Sequence, residues 1–227
     1  MIEASQYIKD LVSNIDNSLF ASYDSASGKS FICNTKWARV GKVITDSLNR
    51  KFKVIEIGYD SYIIADPVSG GAEVLEGTCY LINPFFITGT KKATNMEWNL
   101  ADSNLENKLP LVWLLEVISE TGYGRGSSIE KEIETKLFFL DETDPSQYYT
   151  KDHREQVVIP MQKLMLEFLK AVENDRMYKS VENYRYKTFS RFGVEQETGV
   201  IKNVLDANLS GVALELTLTR FKENCKC

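Results

Sequence analysis

The sequence predicts an α+β fold: an α/β sandwich of helices packed on antiparallel hairpins, with a small β-rich barrel or sandwich lobe inserted after the first helix. Three observations carry this. Ile8, Leu11, Val12, Ile15 and Leu19 recur at the spacing of one helical face. Between Ala38 and Ile87, short runs rich in Val, Ile, Tyr and Phe are punctuated by turn formers. From Leu109 onward, two strand-like runs, a strong amphipathic helix and two more alternating runs follow in that order.

Residues 1–23 are assigned to the N-terminal helix of the main lobe, whose apolar stripe needs a partner to cover it. Asp24 to Lys29 is a polar linker of turn-forming residues. The inserted lobe is placed at 30–95. Its strands are expected over Ala38 to Ile44, Phe52 to Gly58, Tyr62 to Asp66 and Glu73 to Ile87, separated at Asp46-Ser47, at Asp66 to Gly71 and at Asn83-Pro84. Lys91 to Asn107 is polar and is read as a connector.

The main lobe resumes at 105–227. Leu109 to Ser119 is a nearly continuous apolar run, as expected of a strand buried on both faces. Gly122 to Gly126 makes a loop, and Glu132 to Leu140 alternates as the returning strand, which gives a long hairpin over 109–140 with a glycine-rich tip. Val158, Met161, Leu164, Met165, Phe168, Leu169 and Val172 mark a helix over about 154–175. Pro160 either begins the regular helix, where its missing N–H costs nothing, or kinks one that starts near Asp152. Tyr184 to Phe192 and Val212 to Phe221 alternate as two further strands, with Asn208 to Gly211 as the turn before the last.

Composition bounds the function. The chain has 227 residues, 43% hydrophobic and 26% charged, which is the balance of an ordinary soluble protein of two lobes. The first residues lack the basic start and apolar run of a secretory signal, and no stretch has the roughly 18 apolar residues of a membrane span. Cys33, Cys79, Cys225 and Cys227 are too irregularly placed for a disulfide framework, so reduced thiols are expected. A net charge of −5 speaks against a protein whose whole surface grips nucleic acid, while leaving room for a local basic face.

Each motif that resembles chemistry has a blander reading. His153, the single histidine, follows Asp152 just ahead of a helix, where a capping or surface role outweighs an acid–base pair. Glu116, Glu134 and Lys136 resemble the carboxylates and lysine with which Mg²⁺-dependent nucleases activate water. Glu132, Glu134 and Lys136 nevertheless alternate with Ile133 and Leu137 as a solvated strand face does. Gly122 to Ser128 precedes a strand rather than a helix, so a hairpin tip is favoured over a phosphate cradle. Cys225 and Cys227 supply one close pair of thiolates where a structural zinc site shows two. No catalytic, cofactor or metal site is therefore expected.

The segment Tyr184 to Phe192 interleaves aromatic and basic residues in the manner of a single-strand nucleic-acid platform. On a strand, Arg185, Lys187 and Arg191 share one face, and Tyr184, Tyr186 and Phe192 the other. The aromatic face is expected to bury itself as core. The basic face is expected to pair with acidic groups such as Glu130, Glu132 and Glu134, across strands or across subunits.

The order of motifs resembles a family of virion proteins of tailed phages of gut Bacteroidota, including crAss-like phages. The matching residues are Pro84-Phe85-Phe86-Ile87-Thr88-Gly89-Thr90 with Asn95, Pro110 to Glu116, Phe138-Phe139-Leu140-Asp141, His153, Pro160-Met161, Phe192-Gly193 and Asn208 to Val212. The main lobe also resembles tail-terminator and connector subunits, from which the β-rich insertion between Ser30 and Asn95 departs. The resemblance implies a non-enzymatic, ring-forming structural protein, sixfold or twelvefold, of the head–tail connector or tail. Its partners would be its own copies, neighbouring portal, connector or tail proteins, and genomic DNA in the lumen, with no membrane. It would reside in the virion and in host cytoplasm during assembly. Tyr123 and Arg125 at the hairpin tip are expected interface residues, and Arg185 and Lys187 inter-subunit ion partners. The alternative is a phage DNA-binding or Mg²⁺-dependent DNA-processing protein using Glu116, Glu134 and Lys136.

Overall fold

Helix α1 (Ala4–Ser13) forms over the first part of the apolar stripe and buries Tyr7, Ile8, Leu11 and Val12. It stops well short of Leu19. Asp16 accepts hydrogen bonds from the N–H and hydroxyl of Ser18, a local turn that competes with helical continuation. Strand β1 (Ser18–Asp24) begins there, with Leu19 and Ala21 pointing inward. The N-terminal helix expected over 1–23 is thus shorter, ending at Ser13, and the rest of that segment enters a strand. The computed structural model describes residues 4–101, 105–115, 119–123, 130–175, 184–197, 200–203, 205 and 207–220.

Strand β1 is one wall of a closed barrel with β2 (Lys29–Phe31), β3 (Val43–Asp46), β4 (Lys51–Gly58), β5 (Tyr62–Pro67) and β6 (Gly77–Leu81). The order around the barrel is β1-β2-β5-β4-β3-β6, with every neighbour antiparallel. Ile44, Phe52, Val54, Ile63 and Cys79 fill it. Residues 38–42 were expected to open a strand but form a turn, with Ala38 N–H bonded to the Thr35 carbonyl and Gly41 at a φ of 85°. The run from Glu73 to Ile87 divides at Asn83-Pro84. Its first half closes the barrel as β6, and its second half, β7 (Phe85–Thr88), joins a different sheet.

That sheet has the order β11-β14-β10-β8-β7, with β9 also on β10. Its members after β7 are β8 (Leu111–Leu114), β9 (Ser119–Tyr123), β10 (Glu130–Glu142), β11 (Tyr184–Phe189) and β14 (Leu209–Arg220). The expected strand over Leu109 to Ser119 is thus two strands, both antiparallel to β10. Strand β7 runs parallel to β8. A parallel pair needs a crossover, and α2 (Lys91–Leu100) supplies it where a polar connector was expected. Thr90 caps α2 by accepting from the Ala93 N–H, and Thr94 and Trp98, one turn apart, are its buried face. A separate two-stranded ribbon, β12 (Val194–Glu197) with β13 (Val200–Asn203), was not foreseen.

Asn208 to Gly211 does not make the expected turn, because Leu209 to Gly211 open β14. Gly211 lies opposite Leu140, and a Cβ there would meet the Phe139 carbonyl oxygen at 1.9 Å, so only glycine allows β10 and β14 to approach so closely. Helix α4 (Ile159–Asn174) covers one face of the sheet with Met161, Leu164, Met165, Phe168, Leu169 and Val172. It continues from α3 (Lys151–His153) through a π turn at Arg154–Val158, so the helix starts early, its irregular turn lies just ahead of Pro160, and Pro160 sits in the first turn of the regular helix. One apolar core runs unbroken from α1 and the barrel to α4 and this face. A second, on the opposite face, gathers Trp98, Trp113, Phe138, Phe192 and Leu205. Among the described residues no helix is long and apolar enough to cross a membrane.

Candidate assembly edge

Strand β11 pairs with β14 and, among the described strands, with nothing else. It is a sheet edge, and Tyr184 to Thr188 are all exposed. The alternation places Tyr184 and Tyr186 opposite Leu216 and Leu214, on the side of α4, and Arg185 and Lys187 opposite Glu215 and Ala213, on the other. The expected division of faces is present, but the aromatic face is not buried. Tyr184 is 41% exposed and Tyr186 52%, with ring centroids 6.4 Å apart. The physical reason is position: α4 covers the β10 and β14 region and an edge strand lies at its margin. Arg191 and Phe192 fall beyond the strand, and Phe192 enters the second core.

The basic face has an acidic partner within the chain, though not one of the expected hairpin glutamates. Glu215 stands between Arg185 on β11 and Lys136 on β10 in the register, and Lys136 Nζ lies 2.5 Å from its carboxylate. The Lys136 hydrogen bond and charge, then Arg185, hold the Glu215 carboxyl below its usual range. Glu134, Lys136, Tyr184, Arg185, Glu215 and Thr217 line an open cleft of about 570 Å³ here. A second groove of about 520 Å³ runs between the barrel and α4, past Cys33, Asp60, Lys163, Leu166 and Tyr184.

The nuclease-like residues are not assembled by the described structure. Glu134 is exposed on β10 opposite Thr217, and Lys136 is held by Glu215. Glu116 lies outside the described residues, as do Arg125, most of the glycine-rich tip, Cys225 and Cys227. Tyr123 is placed at the end of β9 opposite Glu130. Among the described residues no group of three His, Cys, Asp or Glu side chains is arranged to hold a metal ion. Cys79 is buried inside the barrel and Cys33 is exposed.

His153 is neither a cap nor a surface residue. Thr150 caps α3 by accepting from the His153 N–H, and the imidazole is only 1% exposed. Its Nε2 lies 2.9 Å from Ser210 Oγ, whose own proton is given to the Ser190 carbonyl at 2.7 Å. Nε2 is therefore the protonated nitrogen and donates to Ser210. Burial, and then the Arg39 charge, push the imidazole below its usual range, which keeps it neutral.

Sequence reading missed the ionic joint beside it. Asp141, 1% exposed at the end of β10, accepts Arg39 at 3.0 Å and Lys42 at 3.3 Å, both from the turn that leads into β3. Arg39 also donates to the Glu142 carbonyl. Lys163 on α4 reaches Asp60 at 2.5 Å, on the far end of the barrel. An aspartate ending the apolar run Phe138-Phe139-Leu140 was the available signal, because a carboxylate held beside a core calls for a cation. Comparison with protein-family models, with curated proteins and with solved structures gives no match to this chain.

Proposed function

We propose that the chain is a ring-forming structural subunit of the head–tail connector or tail of a tailed phage, with no catalytic role. The observation that supports this reading is the pair of opposed sheet edges. On one side, β11 offers its backbone and the exposed Tyr184, Tyr186, Arg185 and Lys187. On the other, β9 pairs with β10 alone among the described strands. Two unlike edges on opposite flanks favour head-to-tail contact between copies, and head-to-tail contacts close into rings when the rotation permits. The tail-terminator-like character of the sandwich, Tyr123 and Arg125 as stacking contacts, and DNA in the lumen belong to the same proposal.

Light scattering and negative-stain imaging of the purified chain test it, alongside the variant Tyr186→Lys at an exposed edge position. Rings in the unmodified protein and a smaller species for the variant, with unchanged circular dichroism, are expected. A monomer that is also absent from phage particles overturns the reading.

A further inference from the structure

We propose that strand β12 of one copy seats on the β11 edge of the next, so that a ribbon from each copy extends its neighbour's sheet. The inference rests on the head-to-tail reading above and names the strand that β11 receives. Strand β11 pairs with β14 and with no other described strand, and the row of N–H and C=O groups along its outer side is the complement of one more strand. Its two cations, Arg185 and Lys187, occupy alternate positions and are both exposed. Among the described residues the acids beside them do not neutralise both. Glu215, opposite Arg185, is already held by Lys136 at 2.5 Å. Lys187 stands opposite Ala213, with its ammonium 5.6 Å from the Phe189 ring centroid. Glu134, which lines the same cleft as Arg185, is two strands away on β10. The strand that fits therefore brings acidic residues at alternate positions.

Such a strand is present in the chain. Strand β12 reads Val194-Glu195-Gln196-Glu197, with its two acids two positions apart, as Arg185 and Lys187 are. It pairs with β13 alone among the described strands, which leaves its other edge for a partner. The remaining edges fit less well: β13 brings Lys202, a like charge, and β9 brings one acid, Glu120. Lys202 stands opposite Glu195 across the ribbon, so β12 keeps one acid in excess. Both strands repeat every second residue, so Glu195 and Glu197 come opposite Arg185 and Lys187 whether the pairing is parallel or antiparallel. Val194 and Gln196 then fall beside the uncharged positions of β11. The contact is between copies rather than within one. Residues 190–193 separate the two strands, and Phe192 among them enters the second core with its N–H bonded to the Leu209 carbonyl at 2.8 Å. The ribbon thus departs past the end of its own β11 and forms a sheet of its own. A strand that leaves one copy and joins the next makes a heterologous contact, the kind that repeats around a ring.

Sedimentation of the full chain over a concentration series tests this with two charge-reversed proteins, Arg185→Glu with Lys187→Glu and Glu195→Lys with Glu197→Lys. Each is expected to weaken assembly by about a hundredfold or more through like-charge contact, with unchanged circular dichroism. The neutral variants Arg185→Gln and Glu195→Gln should act in the same direction and more weakly. Mixed in equal amounts, the two reversed proteins should assemble again, because the acidic edge of one meets the basic ribbon of the other. That recovery is a readout which a variant with a damaged fold does not give. Assembly that persists in either reversed protein overturns the inference and leaves the head-to-tail reading to β9. Loss of assembly in both without recovery on mixing overturns it too. Unmodified chains that stay monomeric at every concentration also remove the contact, and the ring reading then stands or falls on whether the chain is found in phage particles.

Discussion

The hydroxyl of Tyr59 donates to the backbone carbonyl of Glu155, joining the end of barrel strand β4 to the π turn that precedes α4. The bond answers a deficit written in the sequence. In the π turn each N–H reaches the carbonyl five residues back, as Ile159 does to Arg154. The next donor in that series would be Pro160, which has no N–H, so the Glu155 carbonyl is left without its helical partner. Tyr59 fills the vacancy, and Asp60 beside it pairs with Lys163 one turn further along α4. The helix irregularity is thus a docking point for the barrel.

Tyr59→Phe removes this one hydrogen bond and leaves the carbonyl beneath a ring of the same shape. It should destabilise the protein by about 1–2 kcal/mol in denaturant unfolding. Burial pushes the Tyr59 phenol up to about 12 from an ordinary value of 10, so the neutral form is favoured in the folded state. The stability it contributes is fully present below pH 10 and is lost as pH rises from there toward 12. The Phe variant should lack that part of the alkaline loss, read by melting temperature across the window. Equal alkaline slopes for the two proteins contradict the assignment.

Asp141 is the charged counterpart of this contact at the other end of the barrel. Its carboxylate is 2% exposed and meets Arg39 and Lys42, whose side chains are 15% and 18% exposed. Removing one partner of such a set leaves the others uncompensated, which is the expensive way to break a buried ionic group. Asp141→Ala should cost on the order of 3 kcal/mol in urea unfolding. Lys136→Ala, which breaks an exposed pair with Glu215, should cost less than about 1 kcal/mol. A similar cost for both would mean that the joint does not couple barrel and sheet.

The parts legible in the sequence are those where one element's periodicity is decided by its own neighbours. Met161, Leu164, Met165, Phe168 and Val172 announce α4 because the sheet covers a single stripe of it. Ile133, Leu137 and Phe139 announce β10 in the same way. What was lost depends on tertiary partners. Helix α2 exists because β7 and β8 are parallel, which nothing within Lys91 to Leu100 reveals. Leu19 continues a helical spacing across Asp16-Asn17-Ser18, where side-chain bonding to the backbone ends the helix instead. At the candidate edge, alternation separates Arg185 and Lys187 from Tyr184 and Tyr186, but whether the tyrosines are covered depends on how far α4 extends over the sheet.

His153 shows the same limit in a single residue, because Ser210, which accepts its proton, is 57 positions away and comes beside it only when β14 pairs with β10. The neutral imidazole is the one that fits, since a second proton would bring a buried charge toward Arg39. The folded state therefore binds that proton less readily than the unfolded chain. The stability this contributes is present above the ordinary histidine value near 6.5 and is lost as pH falls below it. Because the chain has one histidine, the effect can be isolated. The melting temperature of the unmodified protein should fall more steeply between pH 7.5 and 5.5 than that of His153→Gln, whose amide can still donate to Ser210. The single imidazole resonance should titrate below a model histidine. A resonance that titrates above it would mean that the charged form is favoured, and the buried, neutral assignment would fail.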